Sequence, residues 1–167
     1  MSQRADLAFG IASEEAHMSL LQDYLDTTLE RKGGYATFDF ENPERTIFVE
    51  LKSRRIPHDR YDTAIIGFNK VAFADHMEGV QFHFVFCYTD GLYTIQYNKE
   101  QFDSFEVRDN YVRGARNDTH NKPQKVVLIP TNLLTKIEPR PTVVVEETPA
   151  QVEDQGDEKE EEPYFYQ

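Results

Sequence analysis

The sequence predicts a single α/β or α+β domain with a mixed central sheet, followed by an acidic tail. Helix-type and strand-type apolar patterns alternate along residues 1–140, and the composition is globular, with 39% hydrophobic and 13% aromatic residues. Most of the net negative charge lies in residues 141–167, at the end of the chain. At 167 residues the chain can bury one sizeable core. We therefore expect one domain over residues 1–140 and a disordered acidic tail over residues 141–167.

The domain begins with a predicted amphipathic helix from about Ala12 to Glu30. Methionine and leucine side chains recur there at helical spacing. Ser13 can serve as the N-cap, and the pair Gly33-Gly34 can end the helix.

A β-hairpin is predicted next, from the strand-like stretches YATFDF and TIFVELK and the turn sequence ENPER between them. Side chains two positions apart in a strand share a face. Phe38 and Phe40 should therefore lie opposite to Asp39. By the same rule Glu50 should lie beside Lys52, with its aliphatic neighbours pointing the other way, into a core.

The rest of the domain is predicted from shorter patterns. In order, they indicate a helix from Tyr61 to about His76, a hairpin turning at Thr89-Asp90-Gly91, a polar loop over 104–124, a strand over 125–130 and a terminal helix over 131–137. The hairpin has the strongest local signal, because its turn residues separate two runs rich in aromatic and β-branched side chains. The resulting order, α-β-β-α-β-β-loop-β-α, favours a mixed sheet.

Charge separates the tail from the domain. The tail carries nine acidic residues and one lysine, whereas residues 1–140 carry 21 acidic and 17 basic residues. The domain lacks the basic excess of many nucleic-acid-binding proteins, so any such contact must be local. A single cysteine excludes an intramolecular disulfide, and no apolar run approaches the ~18 residues that span a bilayer, so we expect a soluble protein of the cytoplasm or nucleus.

Three polar residues on the predicted hairpin are candidates for a catalytic site. If the hairpin folds back through its turn, Asp39 and Glu50 converge at one end of the sheet, with Lys52 beside Glu50. Neighbouring carboxylates repel, and a divalent cation removes that cost; hard oxygen ligands suit Mg²⁺ or Mn²⁺. This pattern resembles the PD-(D/E)xK nuclease superfamily. In it an aspartate is followed, after ten intervening residues, by Glu-x-Lys on the partner strand, and an acidic helix precedes both strands. Phe38 replaces the proline of the motif, a departure that is frequent in that superfamily.

The resemblance implies a restriction-endonuclease-like core, with a mixed sheet flanked by helices, and metal-dependent hydrolysis of a phosphodiester bond. Asp39, Glu50 and the backbone carbonyl of Leu51 would hold Mg²⁺ or Mn²⁺. Lys52 would orient or deprotonate the attacking water and stabilise developing negative charge. A glutamate from the opening helix often completes such sites; Glu14 is preferred here because it lies on the apolar face, with Glu15 as the alternative.

Basic residues close to the predicted site are the expected DNA contacts. Those that follow the ELK strand or lie in the polar loop are Arg54, Arg55, Arg60, Arg113, Arg116 and Lys122. The second helix of such folds often projects a polar side chain towards the site, and here it offers Asn69 and Lys70.

The expected activity is that of a magnesium-dependent endonuclease, a hydrolase acting on DNA. The small size leaves little room for a base-reading domain, which favours a branch, junction or nick over a sequence as substrate. Enzymes of this fold that cut both strands are often homodimers. The alternative is a non-catalytic binding or assembly protein of a viral or replication complex, since the acidic tail with its aromatic end PYFYQ could dock on a protein partner.

The same residues also have simpler interpretations. Glu50 and Lys52 could form a solvated ion pair, and Asp39 could bind turn amides. Glu14 and Glu15 could act only on the helix dipole, because acidic residues favour any helix N-terminus.

Overall fold

The computed structural model describes residues 17–112 and 122–141. The helices are α1, described over residues 17–25, α2 (Phe68–Asp75) and α3 (Lys99–Asp103), with a 3₁₀ turn at Thr131–Leu133. The strands are β1 (Glu30–Arg31), β2 (Phe40–Glu41), β3 (Ile47–Ser53), β4 (Thr63–Gly67), β5 (Gln81–Tyr88), β6 (Gly91–Gln96), β7 (Glu106–Tyr111), β8 (Gln124–Pro130) and β9 (Thr135–Lys136). Within these ranges no helix is long and apolar enough to cross a membrane.

The strands form a six-stranded mixed sheet and a three-stranded antiparallel sheet. The large sheet has the order β1-β2-β3-β5-β6-β9, and within it β3 and β5 pair in parallel over residues 47–53 and 81–87. The small sheet has the order β4-β8-β7. Parallel strands need a crossover connection, and the segment between β3 and β5 supplies both β4 and α2. The mixed α+β architecture predicted from the sequence is confirmed, whereas the second sheet was not foreseen.

The large sheet is covered on both faces, which explains why β5 is an almost continuous apolar run. Alternate β5 residues Phe82, Phe84 and Phe86 face a core shared with α2 and the small sheet. Val85 and Cys87 face a second core beneath α1. The catalytic candidates on β3 therefore lie in a strand that is packed from both sides.

The first helix ends earlier than predicted. Asp26 adopts a left-handed conformation with φ of +53°, and the Thr27 amide donates to the Gln22 carbonyl over 3.2 Å. This bonding closes a helix C-terminus and is most often built on glycine, but aspartate tolerates the conformation. Gly33-Gly34 is thus not the stop signal. The predicted N-cap Ser13 lies outside the described residues.

The first predicted strand shrinks to the two residues of β2, although its turn forms as expected. Asn42 is buried, and its side-chain oxygen accepts hydrogen bonds from the amides of Thr46 and Ile47, each over 2.8 Å. Phe38 and Phe40 pack into opposite cores. The prediction that they share a face was wrong, because residues 35–39 are not a regular strand.

The predicted helix from Tyr61 to about His76 is two elements. Ala64 and Ile66 are buried while their neighbours are half-buried, which is the two-residue period of β4. Only after Gly67 does the chain become helical, over α2. The apolar residues of this segment recur at helical spacing, but they belong to a strand that is followed by a short helix.

The C-terminal part of the domain also differs from the prediction. The polar segment 104–124 contains β7, whose side chains are almost all exposed, so no apolar alternation marks it as a strand. The predicted helix over 131–137 is a 3₁₀ turn followed by β9. The hairpin is confirmed: Thr89 and Asp90 form its two-residue loop, and Gly91 has a φ of +148°, which favours glycine. Strand β8 is confirmed as well.

A buried histidine on β5 makes stability depend on pH. His83 is 5% exposed, its Nδ1 has no hydrogen-bond partner, and burial lowers its pKa from 6.5 to about 4. Between pH 6.5 and about 4 the unfolded chain therefore binds a proton that the folded chain does not. Stability from this group is complete above pH 6.5 and falls as the solution is acidified towards pH 4.

Replacement of this histidine should flatten the acid dependence of folding. Between pH 7 and pH 4.5 the wild-type chain should lose about 2 kcal/mol of unfolding free energy more than His83→Gln, because glutamine takes up no proton in either state. Urea denaturation at several pH values measures this difference. The exposed His76→Gln serves as control and should keep the wild-type slope. Equal slopes for wild type and His83→Gln would contradict the assignment.

Candidate active site

The centre of the site is a buried carboxylate. Glu50 lies in the middle of β3, is 1% exposed and points to the same face as Phe48, towards α2. A buried charge is costly unless it is paired. Two lysines supply the pairing: Lys52 Nζ contacts Glu50 Oε1, and Lys70 Nζ lies 3.0 Å from Glu50 Oε2. The predicted placement of Glu50 and Lys52 on one strand face is what the structure shows, with Glu50 buried and Lys52 partly exposed.

Lys70 connects three parts of the chain. It lies in the first turn of α2, donates a hydrogen bond to the Thr37 carbonyl, and its ammonium lies 5.6 Å from the centroid of the Phe38 ring. With its contact to Glu50, this lysine ties α2 to β3 and to the segment that precedes β2. That segment carries Asp39.

Asp39 lies across from Glu50. The antiparallel register pairs Phe40 with Val49, and Asp39 is the next residue outward, where its Oδ2 accepts the Leu51 amide over 2.8 Å. In a strand the N–H and C=O of one residue point to the same neighbouring strand. The Leu51 carbonyl therefore points towards the Asp39 edge as well. The predicted set of Asp39, Glu50 and Leu51 is brought together beside β3, at the point where β2 begins.

The ionisation of Asp39 is unfavourable in this environment. Burial raises the pKa of Asp39, and the negative charge of Glu50 raises it further. The Leu51 amide and the charges of Lys52 and Lys70 oppose this, but the net shift is upward. The two lysines thus balance the formal charge of the two carboxylates, but they do not cancel the effect of burial on the pKa of Asp39.

The donor set fits a hard divalent cation. Glu50 Oε2 is buried and accepts no hydrogen bond, because Lys70 approaches it at ion-pair distance without hydrogen-bond geometry. A half-buried carboxylate and a backbone carbonyl lie at the same edge. Carboxylate and carbonyl oxygens are the ligands that Mg²⁺ and Mn²⁺ prefer. The residues present could therefore hold such an ion.

Glu50 opens into a cleft of about 140 Å³ between the two sheets, whereas Asp39 does not line this cleft. Glu50 and Lys52 form one wall, and Asn69 and Lys70 come from α2. The small sheet supplies the opposite wall through Ile65, Gly67, Tyr111, Gln124 and Val126. Sequence reasoning missed this second wall, because β4 is predicted there as part of a helix and β7 as part of a loop, so that no second sheet is expected.

The structure separates the predicted DNA-contacting residues. Asn69 and Lys70 line the cleft, whereas half-buried Arg54 lines a neighbouring cavity. Arg55, Arg60 and Lys122 are exposed. The remaining predicted residues, namely Glu14, Glu15, Arg113, Arg116 and the acidic tail from residue 142 onward, lie outside the described residues.

A second group of metal-ligand types was not foreseen. Ligand atoms of His58, Asp59 and Asp90 lie within 4.8 Å of one another. Asp90 Oδ1 accepts the His58 amide over 2.9 Å, and Asp90 Oδ2 lies 2.5 Å from His58 Nδ1. Tyr93 bonds to the same pair. His58 is half-buried and both aspartates are exposed, so this cluster is a more open candidate metal site than Asp39 and Glu50.

The fold and the buried Asp-Glu-Lys arrangement define a restriction-endonuclease-like protein of the PD-(D/E)xK class. A family model described as "Phage putative PDDEXK endonuclease" matches residues 4–137. The match covers most of the chain, which therefore belongs to this PD-(D/E)xK family. A search of curated proteins finds no match.

Neutralising Asp39 should stabilise the metal-free protein. Asp39→Asn keeps an oxygen that can accept the hydrogen bond from the Leu51 amide. It removes a carboxylate whose ionised form the fold disfavours. We expect the melting temperature of this variant at pH 7 to be higher than that of the wild-type protein. The gain should vanish at pH values below 3.8, where Asp39 is protonated in both states.

Calorimetric scans in EDTA measure this effect. Glu78→Gln, which removes one exposed carboxylate, is the control and should leave the melting temperature nearly unchanged. A lower melting temperature for Asp39→Asn at pH 7 would show that the Asp39 charge is favourable in the fold.

Proposed function

We propose that the protein is a divalent-metal-dependent endonuclease that hydrolyses DNA phosphodiester bonds at Asp39, Glu50 and Lys52. The observation that carries the proposal is the buried Glu50 Oε2, which accepts no hydrogen bond and lies across the strand register from a carboxylate of raised pKa. A carboxylate of perturbed pKa beside a buried carboxylate that lines a cleft is typical of active sites. Membership of an endonuclease family supports the same class of reaction.

Asp39, Glu50 and the Leu51 carbonyl are the proposed ligands of Mg²⁺ or Mn²⁺. When bound, the cation would lower the pKa of a water molecule and neutralise charge on the scissile phosphate. Glu50 would hold the cation through the carboxylate oxygens that Lys52 and Lys70 contact in this structure. No movement of β3 is needed, since the carboxylate already lines the cleft.

Lys52 and Lys70 would then have different tasks. Lys52 lines the cleft from the same strand face as Glu50, so its ammonium can hold the attacking water and stabilise negative charge on the phosphate. Lys70 remains bonded to the Thr37 carbonyl and keeps the Asp39 segment in place. We therefore assign Lys52 a catalytic role and Lys70 a positioning role.

The proposed substrate is DNA with a structural feature such as a branch, junction or nick. Asn69 and Lys70 border the cleft. Arg55 and Arg60 follow β3 in the sequence and are exposed, so DNA phosphates could reach them. The family description names phage, so we place the activity in a phage-infected cell. Residues 1–140 would form the nuclease domain, with 141–167 as an acidic arm.

A non-catalytic role is the second candidate. The observation in its favour is that two lysines already pair with Glu50, which keeps the site close to neutral without a cation. A nuclease fold with such a site could serve as a binding or assembly component. Calorimetric titration with Mn²⁺ separates the candidates: binding that is lost in Asp39→Asn and Glu50→Gln supports the nuclease, and no binding supports the alternative.

Cleavage should depend on the site residues. With Mg²⁺ or Mn²⁺ the purified protein should cut plasmid or branched DNA, and Glu50→Gln or Lys52→Met should lower the rate by at least about 100-fold. Both variants keep the shape of the side chain. Lys136→Met, an exposed lysine on β9, is the control and should cut at the wild-type rate. Folding of each variant is checked by circular dichroism. Undiminished cleavage by both site variants would refute the proposed site.

The acidic arm should compete with DNA. The arm carries nine acidic residues and one lysine, so it can approach the basic residues that follow β3 and exclude phosphates. A chain ending at Arg140 should therefore bind DNA more tightly than the full chain, with the largest difference at low salt. Filter binding at 50 mM and 300 mM salt tests this. Equal affinities at both salt concentrations would show that the arm acts elsewhere.

A further inference from the structure

A second cavity of about 280 Å³ lies directly beside the proposed active-site cleft. The two spaces share Ile65 and Tyr111 as walls. Whatever occupies the cavity is therefore a direct neighbour of a group held at Glu50 and Lys52. The proposed reaction does not use this cavity, so its lining requires its own explanation.

The lining combines flat aromatic side chains with an arginine. Tyr88 ends β5 and is buried, Tyr111 ends β7, and Tyr61 is 59% exposed. Arg54 extends the line of Lys52 along the chain and also lines the cavity. Aromatic faces stack on nucleobases of any sequence, and arginine pairs with phosphate. Few other ligands combine a flat apolar part with an anion next to a phosphodiester site.

The cavity is built in advance by a loop that is pinned at three points. Between β3 and β4, the Ile56 carbonyl accepts the Thr89 amide over 3.1 Å, and the His58 amide donates to Asp90 over 2.9 Å. At the far end the Asp62 carbonyl accepts the Thr131 amide over 2.9 Å.

The His58 ring also stacks on Tyr93, with centroids 4.4 Å apart. This accounts for the cluster of His58 and Asp90 without a metal: it holds the cavity wall. A preformed cavity spends little binding energy on ordering its own walls.

We propose that this cavity receives one unpaired DNA nucleotide next to the bond that is cut. A base stacked and paired in a duplex cannot enter a cavity, so the nucleotide must be unpaired beforehand or turned out of the helix. The substrate class is thus DNA with an unpaired nucleotide beside the cleavage site, as in a bulge, flap or single-stranded branch. The inference rests on the proposed function, because it places the neighbouring phosphate in the cleft.

Binding can be measured without cleavage. The full chain in EDTA is titrated with a duplex that carries a one-nucleotide 2-aminopurine bulge, and with the same duplex fully paired. We expect tighter binding to the bulged duplex and quenching of 2-aminopurine as it stacks on tyrosine. Tyr61→Ala should weaken binding of the bulged duplex by about tenfold and lose the quenching, while paired DNA binds as before. Tyr61→Phe should retain both effects.

Tyr24→Ala is the matched control. Tyr24 is 43% exposed and lies on α1, which covers the opposite face of the large sheet, so its removal should change neither affinity nor quenching. If Tyr61→Ala binds the bulged duplex like wild type, or if wild type does not distinguish bulged from paired DNA, the inference is overturned. Bulge binding that depends on Tyr61 without cleavage in Mg²⁺ or Mn²⁺ would support the cavity and refute the nuclease.

Discussion

The burial of the Glu50 carboxylate inside a packed sheet is the constraint on which the other parts of the structure depend. A charge in that position is tolerated only with partners, and the chain provides them from two places, Lys52 on the same strand and Lys70 on α2. Lys70 also fixes the segment before β2 through the Thr37 carbonyl. One buried charge thereby determines where a helix packs and where Asp39 is held.

The same arrangement is compatible with a stable fold but is not the most stable one for this position. The lysines compensate Glu50 well enough for it to be buried, yet the pKa of Asp39 stays raised and Glu50 Oε2 stays without a hydrogen bond. A fold selected for stability alone would replace this group by apolar side chains. Its presence in a cleft between two sheets is consistent with the proposed role of Glu50 as a metal ligand.

Parts of this arrangement were readable from the sequence because they follow from strand periodicity alone. The common face of Glu50 and Lys52 is set by the alternation of β3, and the spacing to Asp39 reflects one antiparallel turn. The errors arose where tertiary contacts decide. Asp26 ends a helix in a conformation usually left to glycine, and β7 exists because it pairs with β8, although its own side chains show no apolar pattern. The cleft wall and the tyrosine-lined cavity depend on that second sheet.

The parallel pairing of β3 with β5 also has a consequence for the order in which the protein folds. Residue 47 pairs with residue 81, so the chain between them must close as a long loop, whereas the β5–β6 hairpin needs only a two-residue turn. Long-range parallel strand pairing of this kind forms slowly compared with a local hairpin. Glu50, α2 and the cavity loop all depend on that late step. A partly folded chain could therefore already hold Asp39 beside Glu50 through the β2–β3 turn, but Lys70 and the opposite wall of the cleft would join them only after β3 and β5 have paired.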